Sequence, residues 1–306
     1  MRFRDIIALL ILVIVAVGGQ LFRSEPDSPA PPPPSDKSTP SPYGDNPRRP
    51  APQYDGGKLW SAETRDWLSE APSTRPGVTP DWIKPERQLF VDLPQRRTSG
   101  SGTAFAVGDG KWLTARHVID GCDDIGLQTA PGKGVRVTNI RNHPNADVAL
   151  LTTRQGPTPF PLGNGADTGD DGYFIGFPQG KPGAVHARKI GTTTLQERGR
   201  FNTRERADVW SEKSRIPDRF GSLGGLSGGP AFTADGRLTG VVLAEEPRRG
   251  RVLTAEPATL RSMIADAGGS SGRNEPARDL SADDYPKSAR GLLTSLRITK
   301  VLCRVR

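Results

Sequence analysis

Cysteine is nearly absent from this chain: 306 residues carry two, Cys122 and Cys303. Two thiols lack the count and the spacing of a structural zinc site, so no metal is expected, and no cofactor either. In an exported protein they are available to pair and pin the C-terminal tail to the rest of the chain. Histidine is almost as scarce, with only His117, His143 and His186. Helical periods between the apolar segments are missing, which disfavours a parallel α/β sheet. Interleaved basic and aromatic residues are also missing. The net charge of +8 therefore reads as a solvated basic surface, with attraction to anionic lipid or cell-wall polymer as the alternative, and nucleic acid is not expected as a partner.

What is present is unevenly distributed. Residues 1–22 begin with "MRFRD" and continue as an uninterrupted apolar run from Ile6 to Val17. This suits either the apolar region of a cleaved signal peptide or, counted over residues 6–22, a short membrane anchor. Arg2 and Arg4 favour a cytoplasmic N-terminus, and both readings export everything that follows. The lack of a clean small-x-small site, with Arg23 closing the run, favours the anchor. Residues 23–84 are a Pro-rich linker and pre-domain segment, too poor in apolar surface to fold alone. Within it, "SAETRDWLSEA" is a candidate short helix, and Trp60, Trp67 and Trp82 are expected to dock on the main domain. Residues 269–306 read as a linker and basic tail. Their final "ARGLLTSLRITKVLCRVR" is open between amphipathic helix and strand.

Residues 85–268 read as one folded domain. "GTAFAV" and "KWLTA" flank "GDG", a hairpin signal, and "DVALLTT", "GYFIGFP", "PAFTADGRLTGVVLA" and "RVLTAEP" are further short apolar stretches between turns. "ATLRSMIADAG" is a plausible closing helix. Many short strands with little helix indicate an all-β sandwich or barrel.

Three polar residues stand at the edges of these strands. His117 follows an apolar stretch in "WLTARHVIDG", Asp147 opens "ADVALL", and Ser227 sits in "GGLSGGPAF". Singly, each is an ordinary turn, cap or surface residue. Together they meet a chemical need. A serine hydroxyl becomes a nucleophile when a base takes its proton, and histidine is that base near neutral pH. A buried carboxylate fixes the imidazole tautomer, and backbone N–H groups receive the oxyanion.

"SGTAF", "LTARHV", "ADVALL" and "LSGGPAF", in that order, resemble the trypsin-like, chymotrypsin-fold serine proteases. The lack of a disulfide set, with "YFIGFPQG" and "GRLTGVVLA", is most similar to the bacterial HtrA-like branch. The resemblance spans about residues 96–265. It implies two six-stranded antiparallel β-barrels with a short C-terminal helix and the active site between the barrels. His117, Asp147 and Ser227 would be the catalytic residues, and the N–H groups of Gly225 and Ser227 the oxyanion hole. Gly221 lies near the expected base of the substrate pocket, with Ala244 and Glu245 at its wall. No acid stands at Gly221, so cleavage after small or medium apolar residues is expected, on protein or peptide substrates outside the cytoplasmic membrane. Three features depart from the family pattern: Arg116 precedes the histidine, Leu226 replaces an aspartate, and too little chain follows for a PDZ module. A non-catalytic peptide-binding protein, an envelope scaffold and an esterase are the alternative readings.

Overall fold

The "GTAFAVGDGKWLTA" stretch forms the hairpin its turn residues predict: β3 (Gly100–Gly108) and β4 (Lys111–Ala115) pair antiparallel around Asp109 and Gly110. In this computed structural model the described residues are 73–74, 80, 82–130, 132–265 and 274–306. The expected N-terminal anchor or signal, most of the Pro-rich segment, the candidate helix, Trp60 and Trp67 lie outside them. Before β3 come β1 (Ser73–Thr74) and β2 (Gln88–Asp92). After β4 follow a one-turn helix α1 (Arg116–Ile119), β5 (Asp124–Ala130), β6 (Lys133–Arg136), β7 (Asn139–Asn142) and β8 (Val148–Thr152). Next come β9 (Asp171–Gly176), β10 (Gly183–Arg198), β11 (Thr203–Ile216), β12 (Pro230–Phe232), β13 (Leu238–Glu246) and β14 (Arg251–Ala255). Helix α2 (Pro257–Ala265) matches the expected closing helix, and α3 (Tyr285–Thr294) and β15 (Ile298–Arg304) end the chain.

The protein is all-β, built on two sheets. Among the described residues the larger has eight strands in the order β1-β11-β14-β13-β12-β9-β10-β2. A further β10–β11 pairing closes six of them, β9 to β14, into the expected six-stranded barrel. β1 and β2 add to the outer lengths of the long β10–β11 hairpin, β2 in parallel rather than antiparallel register. Among the described residues the second sheet runs β6-β5-β15-β3-β4-β8-β7, seven strands where six were expected.

The extra strand comes from the segment read as a linker and tail beyond residue 268. β15 lies antiparallel between β3 and β5, with Val301 opposite both Gly102 and Leu127. The open choice between helix and strand resolves as both, in succession. Ile298, Val301, Leu293 and Tyr285 are fully buried. The Cys122–Cys303 pair forms a disulfide with its Cα atoms 5.4 Å apart, fixing β15 to the loop after α1. The expected docking of Trp82 does not occur: its side chain is 80% exposed.

Strands β3 and β8 are buried on both faces, which is why they read as continuous apolar runs instead of alternating ones. Phe105 and Val107 of β3, with Val148 and Leu150 of β8, join the cluster that also holds Ile175 and Leu253 of the other sheet. Ala104 and Ala106, with Ala149 and Leu151, pack on the opposite side against Trp112 and Val301.

Candidate active site

β4 and β8 pair with Ala115 opposite Val148. The residues just beyond that pair, Arg116 and His117 after β4 and Asp147 before β8, are therefore neighbours. The Arg116 N–H donates to the Asp147 carbonyl at 3.1 Å. Asp147 is fully buried and takes two hydrogen bonds from His117: the backbone N–H to Oδ1 at 2.7 Å, and ring Nδ1 to Oδ2 at 2.5 Å. With Nδ1–H donating to Asp147, the Nε2 lone pair is left facing away as a proton acceptor. Burial by itself lowers the pKa of the imidazole, but the Asp147 charge and hydrogen bond, helped by Glu197, hold it above 6.5. The ring is 23% exposed, so part of it is open to solvent.

Ser227 comes from the loop before β12, in the other sheet, and Thr103 of β3 holds that loop. The Thr103 N–H donates to the Ser227 carbonyl at 2.9 Å, and its hydroxyl donates to the Gly225 carbonyl at 2.8 Å. The same hydroxyl accepts the Phe177 N–H at 3.1 Å. Gly102 explains how closely the parts meet: a Cβ there would lie 2.6 Å from Val118, next to His117, and 3.0 Å from the Ser227 carbonyl. The Ser227 hydroxyl makes no hydrogen bond to His117 among the described contacts; such contacts often tighten only when substrate binds.

The glycines give the loop its shape. Gly225 and Gly228 have φ of 96° and 82°, values that favour glycine. A Cβ on Gly228 would come within 2.2 Å of the Thr103 carbonyl, so the residue is required by packing as well. The loop carbonyls then set the direction of its amides. The Gly224 carbonyl accepts the Gln179 N–H at 2.5 Å, and the Leu226 carbonyl accepts the Gly229 N–H at 2.8 Å. In a planar trans peptide the N–H points opposite the carbonyl. The Gly225 and Ser227 N–H groups are thereby turned away from those partners, and neither has an acceptor among the described residues.

The other sequence-predicted site residues lie around this loop. Gly221 is exposed, and a Cβ there would meet nothing within 4 Å. Ala244 lies on β13 opposite Leu253. The Glu245 carboxylate accepts the Ser222 hydroxyl and the Leu223 N–H, the latter at 2.9 Å to each oxygen. It is a clamp on the turn before the serine. The departures also find their places. The Arg116 guanidinium stacks 4.1 Å from the Phe201 ring centroid, and Leu226 is buried among Phe174, Val242 and Trp210. No charged pair can form at Leu226.

Two buried glutamates behind Asp147, Glu197 and Glu205, escape the sequence reading, as does Thr103. A ring nitrogen of His117 and carboxylate oxygens of Asp147 and Glu197 lie within 4.8 Å of one another. Ligands of one zinc ion stand about 2.0–2.2 Å from it at tetrahedral angles, well over 3 Å apart. The 2.5 Å separation of Nδ1 and Oδ2 fits a shared proton, not two ligands of one ion.

Residues 102–241 match the family model of the trypsin-like peptidase domain, in agreement with this architecture. Similar solved structures include the active form of the Rv3671c protease from M. tuberculosis, at 22% identity and TM-score 0.47, covering 58% of this chain and 77% of that one. The HtrA-type protease AlgW with a decapeptide is 21% identical, covering 55% of this chain and 51% of that one, with TM-score 0.42. The MamO protease domain from Magnetospirillum magneticum is 18% identical, covering 53% and 93%, with TM-score 0.41. No curated protein sequence matches the chain.

Proposed function

We propose that this chain, whose residues 102–241 match the family model of the trypsin-like peptidase domain, is a serine endopeptidase using Ser227, His117 and Asp147. The observation that carries the proposal is the doubly hydrogen-bonded His117–Asp147 pair beside a glycine loop whose Gly225 and Ser227 amides have no acceptor among the described residues. In this reading Ser227 Oγ attacks the scissile carbonyl carbon as its proton passes to His117 Nε2. The carbonyl oxygen becomes an oxyanion and receives the Gly225 and Ser227 N–H groups. Collapse breaks the C–N bond, and the imidazolium returns the proton to the departing amine. Water then attacks the acyl-enzyme by the same base, releasing the acid and free Ser227.

Gly221 and Ala244 would bound the substrate pocket, with Glu245 acting through the turn it holds, which suits small or medium apolar side chains. The disulfide supports action in an oxidising compartment outside the cytoplasmic membrane, in line with the apolar start of the chain. Membrane attachment, if residues 6–22 are retained, rests on that segment alone: among the described residues no helix is long and apolar enough to cross a membrane.

Covalent labelling of the full chain with a fluorophosphonate probe, read by mass, tests the triad. Label is expected on Ser227 and is expected to vanish in Ser227→Ala and His117→Ala. A folded parent chain that takes no label would leave a binding protein as the better reading. The acid limb of kcat/KM is a second check. The base must be neutral, and Asp147 and Glu197 raise its pKa, so activity should rise with pH through a midpoint above 6.5. A midpoint at or below that value would contradict the assigned role of the pair.

A further inference from the structure

The proposed triad leaves its two nearest acids unused. Glu197, near the end of β10, is 1% exposed, and Glu205, on β11, is 8% exposed. Glu205 Oε1 accepts the Asp147 backbone N–H at 2.7 Å, and its Oε2 is buried without a partner. Glu197 Oε2 accepts the Thr203 hydroxyl at 2.6 Å, while its Oε1 is buried with no donor. The Glu197 carboxyl nonetheless has an oxygen within 4.8 Å of an Asp147 carboxylate oxygen. Two ionised carboxylates offer acceptors only and cannot bond to each other; a carboxylic acid and a carboxylate can.

We propose that Glu197 is a positioning residue that, in its protonated form, donates a hydrogen bond to Asp147 and holds that carboxylate against His117. The proposal rests on the serine-protease reading of the site. The proton belongs on Glu197 for a structural reason. Asp147 already accepts two N–H bonds from His117, one on each oxygen, whereas Glu197 accepts a single hydroxyl and has an oxygen left over. Burial first, and then the Asp147 charge, push the Glu197 pKa up to about 8, against the pull of Thr203.

Every element packed here contributes to this balance. α1 brings His117, the turn leading into β8 brings Asp147, and β11 brings Thr203 and Glu205. Burial pushes Glu205 well above its ordinary range too, as do the charges of Asp147, Glu197 and Glu256. The nearby cations are occupied elsewhere: Arg200 donates to Asp120 at 2.9 Å, and Arg198 stacks 4.6 Å from the Phe90 ring centroid. When Glu197 ionises, two adjoining buried carboxylates repel. Glu197 is the one free to turn outward, toward the groove lined by Asn145, Gln196 and Asn202, and Asp147 loses its donor. Activity therefore falls on the alkaline side as Glu197 titrates.

The test is the pH dependence of fluorophosphonate labelling in the full chain, with Glu197→Gln and Glu197→Leu, beside an NMR titration of the His117 ring in the same proteins. Gln keeps a donor and cannot ionise; Leu keeps bulk and loses the donor. At neutral pH the Gln variant should label within about threefold of the parent, and the Leu variant at least about tenfold more slowly. The parent's alkaline fall should disappear in the Gln variant. The parent ring should show a second inflection near pH 8, absent in the Gln variant. A Leu variant as fast as the parent, a Gln variant as slow as Leu, or an alkaline fall unchanged in Gln would overturn the proposal. Should Leu fail to fold, the Gln comparisons stand alone. If the folded parent takes no label, the protease reading fails by itself and the ring titration decides: the inflection lost in Gln upholds the Glu197–Asp147 bond, and no inflection refutes it.

Discussion

Asp147→Asn is expected to lower kcat/KM by about 10⁴-fold while leaving the fold as stable as the parent or more so. The loss follows from counting acceptors. Asp147 receives the His117 backbone N–H on one oxygen and the ring Nδ1–H on the other, at 2.7 and 2.5 Å. An amide has one acceptor oxygen and an NH₂ donor. If the oxygen keeps the backbone N–H, the NH₂ faces Nδ1. The ring then moves its proton to Nε2, the atom that must accept the serine proton. The stability follows from charge. Burial and the Asp147 charge together raise the Glu197 pKa to about 8, so the folded state holds a proton that the unfolded chain releases near 4.5. Between those values the native state binds more protons, and its stability falls as pH rises through the window. Removing the Asp147 charge relieves part of that cost, on the order of a few kcal/mol at the alkaline end. Steady-state kinetics and thermal melts at matched pH check both halves. A fall of tenfold or less, or a melt well below the parent, would mean that Asp147 serves the fold instead of the ring.

The difference between this pair and the glutamates behind it shows what the sequence makes legible. His117 and Asp147 sit at the ends of apolar stretches that suit only buried strands, so their place at a strand mouth is readable from the residue pattern alone. Ser227 announces itself through the glycines around it. The β10–β11 hairpin is hidden. "TTTLQERGRFNTRERADVW" is dense in charge and reads as solvated surface. Yet Glu197, Glu205, Asp208, Glu212 and Arg215 are buried in or beside it. Their partners are the reason: Arg215 and Glu212 pair with each other at 1% exposure each, Lys189 reaches Asp208 at 2.7 Å, and Glu205 meets the Asp147 amide. A buried charge is tolerable when paired, and pairing across strands leaves no local trace in the pattern. Thr103 is hidden in a different way. It lies inside a recognisable motif, but its clamp on the Gly225 and Ser227 carbonyls depends on the approach of two sheets.

The C-terminal strand carries the other large expected effect. A chain ending at residue 268, the domain edge suggested by composition, is expected not to fold and not to label with the fluorophosphonate probe. Such a chain lacks β15, which is the inner strand between β3 and β5 and not an addition to the edge. Its removal strips β3 and β5 of their shared partner and exposes both facing ladders. It also takes away Tyr285, Leu292, Leu293, Leu296, Ile298 and Val301, all buried. At roughly 1.5–3 kcal/mol for each large apolar side chain, that loss is on the order of 10–20 kcal/mol. Domains of this kind are stable by about 5–15 kcal/mol in all. The disulfide adds to the dependence. It joins Cys122 to Cys303 across a sequence separation of 181, for which chain entropy alone gives about 5 kcal/mol. The effect should reach the site directly. β3 carries Thr103, and Thr103 holds the Gly225 and Ser227 carbonyls of the glycine loop. Cys122→Ser with Cys303→Ser, which keeps β15 but cuts the tie, should therefore fold with a lower melting temperature and still label. Circular dichroism, thermal melts and labelling of the two variants separate the contributions. A truncated chain that melts cooperatively and labels at the parent's rate would mean that β15 only decorates a sheet able to stand without it.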